Sequence, residues 1–165
     1  MASGDTLCVF SALANQPPTT AFATLDTRGA AAATYFVLDF DASTDESAMF
    51  VGVLPRNYAS GGLTVTLHWM ATSATSGDCV WLAAIGRLNT DLDSDPHAAT
   101  QTATGTANGT SGIITSTAIT FTDGAQMDSL AAGEAFSLKI TRDADNGSDT
   151  MTGDAELVTV EIKET

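Results

Sequence analysis

Apolar and polar side chains alternate with a period of two along most of this chain, and that alternation constrains its fold more than any other feature. In LTVTLHWM, Leu63, Val65, Leu67 and Trp69 fall on one side and Thr64, Thr66 and His68 on the other. Such a pattern describes a strand with one buried and one wetted face. AFSLKIT repeats it with Phe136, Leu138 and Ile140 against Ser137, Lys139 and Thr141. LVTVEIK places Val158, Val160 and Ile162 inward against Thr159, Glu161 and Lys163. Further strands are predicted in TLCVF around Cys8, FATLD around Leu25, TYFVLDF around Phe36, AMFVGVL around Val51, CVWLAAI around Trp81, a Thr-alternating run from Thr100 to Thr106, and IITSTAITF around Ile119.

Gly- and Asn-rich connectors separate these runs: the segment before Leu63, Thr-Ser-Gly-Asp before Cys79, Asn108-Gly109 and Asn146-Gly147. Each tolerates the positive φ of a chain reversal. One short helical turn is predicted from Asp123 to Leu130, with Asp123 as its cap, Met127 and Leu130 on one face, and Gly133 as its stop. Many short strands with no long helix to cover a parallel sheet imply an all-β fold, a two-sheet antiparallel β-sandwich and most simply a jelly roll of about eight strands. An immunoglobulin-like sandwich is the alternative, although the Cys…Trp…Cys spacing is absent.

A length of 165 residues and 44% hydrophobic content suit one domain with a substantial core. Within it, residues 1–18 read as an N-terminal strand or arm and residues 19–165 as the sandwich. Six Lys and Arg against 20 Asp and Glu give a formal charge of -14, which repels phosphate backbones and anionic lipid alike. Nucleic acid and membrane are therefore not expected as partners. No secretory signal opens the sequence, so synthesis in a cytoplasm is expected. Cys8 and Cys79 sit in apolar strand contexts and read as two reduced buried thiols; the sequence leaves open whether they pair.

Few residues have the spacing of catalytic groups. His68 lies on a strand opposite Leu67 and Trp69, and His97 follows Pro96 in an acidic loop; neither accompanies a nucleophile motif. Glycoside hydrolysis needs two facing carboxylates in a cleft, whereas the acidic residues here cluster in loops. No catalytic residue, cofactor or metal ligand is assigned, and the chain is not expected to be an enzyme. The loops Asp91-Leu-Asp93-Ser-Asp95 and Asp143-Ala-Asp145-Asn146-Gly147-Ser-Asp149 carry oxygen donors at the close spacing that Ca2+ uses, without the Gly and Glu positions of an EF-hand. Calcium binding and plain solvated turns both remain open for them. Asn108-Gly-Thr110 and Asn146-Gly-Ser148 fit the glycosylation sequon but read as turns.

The stretch FVGVLPRNYASGGLTVTLHWMATSATSGDCVW, Phe50 to Trp81, and the C-terminal AGEAFSLKITRDADNGSDTMTGDAELVTVEIKET together resemble small jelly-roll β-sandwich virion proteins of tailed bacteriophages. The resemblance covers framework sequence, so it carries over core positions such as Leu54, Trp69 and Trp81 and no functional residues. It implies a non-enzymatic capsid decoration or cement protein on the virion exterior, binding between major capsid subunits, commonly as a homotrimer. Acidity suits that role by keeping free copies apart. The segment through Asn15-Gln16-Pro17-Pro18 is the expected attachment arm, because Pro-Pro cannot continue a ladder. Threonines from Thr100 to Thr106 would face either a symmetry mate or water. The alternative is a tail- or fibre-associated receptor- or carbohydrate-binding module, with Asn57, Tyr58, Asp91 and Asp95 as its first candidate loop residues.

Overall fold

Every one of the alternating runs folds as a strand. The computed structural model describes residues 4–89, 92–93 and 97–165. In chain order the strands are β1 (Thr6–Ser11), β2 (Thr24–Ala30), β3 (Ala33–Phe40), β4 (Glu46–Val53), β5 (Leu63–Ala71), β6 (Asp78–Arg87), β7 (Gln101–Thr106), β8 (Thr115–Phe121), β9 (Ala135–Arg142) and β10 (Ala155–Glu164). They form a six-stranded sheet, in the order β2-β3-β10-β5-β8 with β1 also on β10, and a four-stranded sheet β4-β9-β6-β7. All strand pairs are antiparallel. The expected two-sheet sandwich is thus observed, with ten strands rather than about eight, and FATLD and TYFVLDF forming the hairpin that ends the six-stranded sheet.

Between the sheets lies one aromatic core. Trp69 and Trp81 meet edge to face at 5.7 Å, Phe40 packs on Trp81 at 5.1 Å, and Phe10 stacks on Phe50 at 5.4 Å. Leu54, Trp69 and Trp81 are fully buried, as the sequence implies. Trp69 Nε1 donates to Thr117 Oγ1 (2.9 Å). Strand β7 closes tightly here: a Cβ on Gly105 would lie 2.0 Å from Thr117 Oγ1 and 3.0 Å from the Trp69 ring, so only glycine fits.

Several expectations are revised. Residues Thr6–Ser11 form the strand expected of TLCVF, but it is paired along β10, and Phe10 and Ala12 belong to the core. The chain then crosses to the other sheet, where Gln16 N–H donates to Met49 O and Ala23 N–H to Ser47 O, covering the edge of β4. This N-terminal stretch is built into the sandwich and does not extend away from it. The helical turn is a 3-10 turn over Ala125–Met127 capped by Gly124, and a second lies at Ala12–Ala14. Asp123 makes no cap; its Oδ1 accepts the Tyr58 hydroxyl (2.9 Å). Met127 and Leu130 are both buried, as expected. Cys79 is buried, Cys8 only partly so, and both are free thiols.

Val158 is the instructive exception to the alternation. Leu157 faces Trp69 and Val160 faces Leu67, with a register shift between Leu157 and Thr159. A β-bulge takes up the extra residue and turns Val158 to the outer face. The same bulge is where β10 changes its neighbour, from β3 before it to β1 after it.

Candidate functional site

That outer face of the six-stranded sheet holds a cleft of about 610 Å3, and the sequence pattern explains how it is built. Phe36, Leu38 and Phe40 share one face of β3 and Tyr35, Val37 and Asp39 the other, because side chains alternate. Leu38 and Phe40 enter the core, so Tyr35, Val37 and Asp39 point outward. Val37 and Met70 are buried yet lie apart from the main core, and with Val158 they form an apolar floor. Tyr35, 62% exposed, and Ile114 rise from it. One wall is the tip of the β2-β3 hairpin. Gly29 has φ +130°, and a Cβ there would lie 2.1 Å from Ala33 O, so the tip is restricted to glycine. The opposite wall is the 107–114 loop, fixed at the end of β5 by Gly112 N–H donating to Ala71 O (3.1 Å).

Charge is concentrated at one end of this floor. Arg28 Nε donates to Glu156 Oε2 (2.6 Å) and Nη2 to Thr72 O (2.7 Å). Asp39 and Glu156 are direct cross-strand neighbours, and Asp26 stands opposite Val37. Burial lifts the Glu156 carboxyl above its ordinary range against the pull of Arg28. Burial, reinforced by the carboxylates of Asp154, Glu156, Asp26 and Glu46, pushes Asp39 up to about 6. Asp39 Oδ1 is buried and has no hydrogen-bond partner among the described residues. A site of this kind offers an apolar surface, one exposed aromatic ring, a positioned guanidinium and acceptor oxygens.

Farther along the same face, Ser116 Oγ lies 2.9 Å from His68 Nδ1, while His68 Nε2 is 3.9 Å from Glu161. The resemblance to a Ser-His-Glu relay is limited. These are cross-strand neighbours on an open sheet, and Glu161 is already held by the Thr6 hydroxyl (2.5 Å) and Lys163 (3.2 Å). His97 Nε2 lies 3.0 Å from Ser137 Oγ on the other sheet.

Among the candidates named from sequence, Tyr58 is buried, its hydroxyl accepting from Gly62 N–H (2.9 Å) as well as donating to Asp123, so that it braces a loop. Asn57 is exposed at the same loop, away from the cleft. Asp91 and Asp95 lie outside the described residues. In the second acidic loop, Asp143 and Asp145 come together with Asp45, carboxylate oxygens within 4.8 Å of one another, whereas Asp149 turns inward to Arg142. Asp45 Oδ1 already accepts Ala144 N–H (2.8 Å), and a Ca2+ would need several more oxygens than these three supply. Asn108 and Asn146 each accept the N–H two residues on, which is the turn geometry expected. The threonines Thr102, Thr104 and Thr106 are exposed on β7.

Sequence reasoning passes over Tyr35 and Arg28 and sets Val158 in the core, since TYFVLDF reads as an apolar run and LVTVEIK as an unbroken alternation. The signal available is that Asp39, two and four residues beyond Val37 and Tyr35, marks their shared face as partly wet.

No protein-family model and no curated protein sequence matches this chain. Among solved structures it is similar to the CBM36-1 domain of a multidomain xylanase from the hindgut metagenome of Trinervitermes trinervoides, at TM-score 0.52 and 13% identity over 94% of each chain. It is also similar to the CBM22-1 xylan-binding domain of Xyn10C from Paenibacillus barcinonensis, at TM-score 0.53 and 10% identity over 99% of this chain and 96% of that one. The family 11 carbohydrate-binding module from Clostridium thermocellum, in complex with a beta-1,3-1,4-mixed-linked tetrasaccharide, gives TM-score 0.52 and 8% identity over 98% and 96%. At these identities the likeness is one of fold: the chain is a jelly-roll β-sandwich of the architecture these modules share.

Proposed function

We propose that this protein is a non-catalytic carbohydrate-binding module whose ligand lies in the cleft on the outer face of the six-stranded sheet. The observation that carries the reading is Tyr35, an exposed aromatic ring above the apolar floor of Val37, Met70 and Val158, with Arg28 at its side. A sugar ring has an apolar C–H face that stacks on an aromatic ring, and an edge of hydroxyls that hydrogen-bond to charged side chains. The likeness of fold to carbohydrate-binding modules supports the same reading. Titration calorimetry against xylohexaose and a mixed-linked tetraglucoside tests it. Tyr35→Ala is expected to weaken binding by about tenfold or more, since one stacked aromatic is worth on the order of 1.4 kcal/mol. If neither sugar nor a wider panel of soluble glycans binds, the reading fails. Capsid decoration then becomes the leading proposal, tested by co-sedimentation with shells stripped of accessory proteins.

A further inference from the structure

We infer that two copies of this chain pair antiparallel through strand β2, joining their six-stranded sheets into one and setting their clefts side by side. β2 ends the sheet, and its residues other than Arg28 are exposed. Its Thr27 N–H points outward, away from β3, and is held only by the adjacent Asp26 side chain (2.7 Å), a local bond that pairing would exchange for an inter-strand one as Asp26 turns to the Arg28 of the second copy. An uncovered strand edge of this kind is a template for another strand.

Charge picks the occupant and the register. With Thr27 set against Thr27 of a second copy, Asp26 falls opposite Arg28 in both directions, two oppositely charged cross-strand pairs on the outer face. Sliding the centre to Asp26 or to Arg28 would put like charges opposite each other. Arg28 has a donor to give: Nε and Nη2 are used within the chain, and among the described residues Nη1 makes no hydrogen bond. On the inner side the same register puts Leu25 over Gly29 of the second copy, where no side chain obstructs it. It also lines up Phe36, which pairs with Thr27, with its counterpart across the axis. Leu13, Phe22, Leu25 and Phe36 are all exposed, and the first three line a second cleft of about 280 Å3 beside this edge. Exposed apolar groups so grouped are what an interface covers. Asp26 of each copy would then stand beside the Arg28 and Tyr35 of the other, so each cleft gains a carboxylate from its neighbour. That last consequence rests on the proposed function; the pairing itself does not.

Sedimentation velocity without any sugar tests the pairing, in about 0.15 M salt so that the charge of -14 on each copy is screened. A reversible monomer-dimer equilibrium with a dissociation constant of tens of micromolar, about 10–100 μM, is expected for an interface of this modest size. Asp26→Arg alone and Arg28→Asp alone should each be monomeric, and an equimolar mixture of the two should dimerise, because only the mixed pair restores opposite charges. Circular dichroism checks that both variants fold. Should Arg28→Asp not fold, Thr27→Pro replaces it: it removes an N–H that β3 does not use and should also abolish the dimer. Wild-type protein that stays monomeric to about 200 μM, forms a trimer, or dimerises equally well as Asp26→Arg overturns the inference. Sugar titration of dilute monomer, run separately, reports on the cleft alone.

Discussion

Two of the arginines that the sandwich sets against carboxylates, Arg142 and Arg28, have opposite fates. Arg142 is fully buried and every donor is used: Nε and Nη2 donate to Asp149, Nη2 also to Met151 O, and Nη1 to Phe40 O and Gly153 O. Asp149 in turn accepts Val80 N–H (3.0 Å). Arg28 is a third exposed, spends two nitrogens on Glu156 and Thr72, and neighbours Asp39, whose buried oxygen has no partner. A guanidinium with all five N–H groups satisfied specifies a structure and has nothing left for a ligand. One left incomplete beside a cleft is available for binding. Satisfaction, more than the presence of charge, separates the structural arginine from the functional one.

The largest effect should come from breaking the complete site. Asp149→Asn leaves Arg142 charged and buried beside a neutral amide, and loss of one partner of such a pair costs about 3–5 kcal/mol. Guanidinium or thermal unfolding should show that loss while any residual folded protein binds glycan as before, because Asp149 lies away from the cleft. The strands flanking this clamp carry most of the consequence: it ties the 143–154 segment to β3 and β6. A loss of less than about 1 kcal/mol would remove the distinction drawn here between the two sites.

Arg28→Gln probes the incomplete site, and its effects should divide the other way. Stability should fall by about 1–2 kcal/mol, as Glu156 loses its cation but regains neutrality by taking up a proton. Glycan affinity should fall by about tenfold, on the scale of one charge-assisted hydrogen bond. Calorimetry paired with melting curves reads both. A large loss of stability with unchanged affinity would make Arg28 a second structural arginine.

The difference between the two sites also explains what the sequence reveals. Alternation in LTVTLHWM, AFSLKIT and CVWLAAI reads directly as half-buried strands, because burying one face dictates a period of two, and the core tryptophans follow from it. The cleft is less legible since it depends on irregularities. A bulge turns Val158 outward, and a glycine-tipped hairpin lifts Arg28 and Tyr35 beyond the sandwich. Both are set by tertiary pairing that local pattern does not encode. Tyr58 misleads for the converse reason: a loop tyrosine between Asn57 and Ala59 reads as exposed, while it is buried and its hydroxyl bonds Asp123 and Gly62, 65 and 4 residues away. Asp149 and Asp143 look equivalent in one acidic loop, yet only the partner placed by β9 sends one inside.

The smallest effect concerns the unpaired carboxyl. Asp39 titrates near 6 in the folded chain and near 3.9, the ordinary aspartate value, when unfolded. Between those values the folded state keeps a proton that the unfolded state has released, so this group's contribution to stability falls as pH rises from about 4 through about 6. Above that its charge opposes folding. Asp39→Asn should therefore raise the melting temperature at pH 7 and leave it nearly unchanged at pH 4. The gain corresponds to about 1 kcal/mol or less once solvent screening of this half-buried group is allowed for. Differencing mutant against wild type across pH 4–8 removes the contributions of Glu161 and Asp41, whose carboxyls are lowered, and reads Asp39 together with its coupling to Glu156, whose carboxyl is also lifted. A gain of equal size at both ends of the range would mean that Asp39 is not the strained member of the cleft. The contrast between a completed arginine site and an unfinished one would then rest on Arg28 alone.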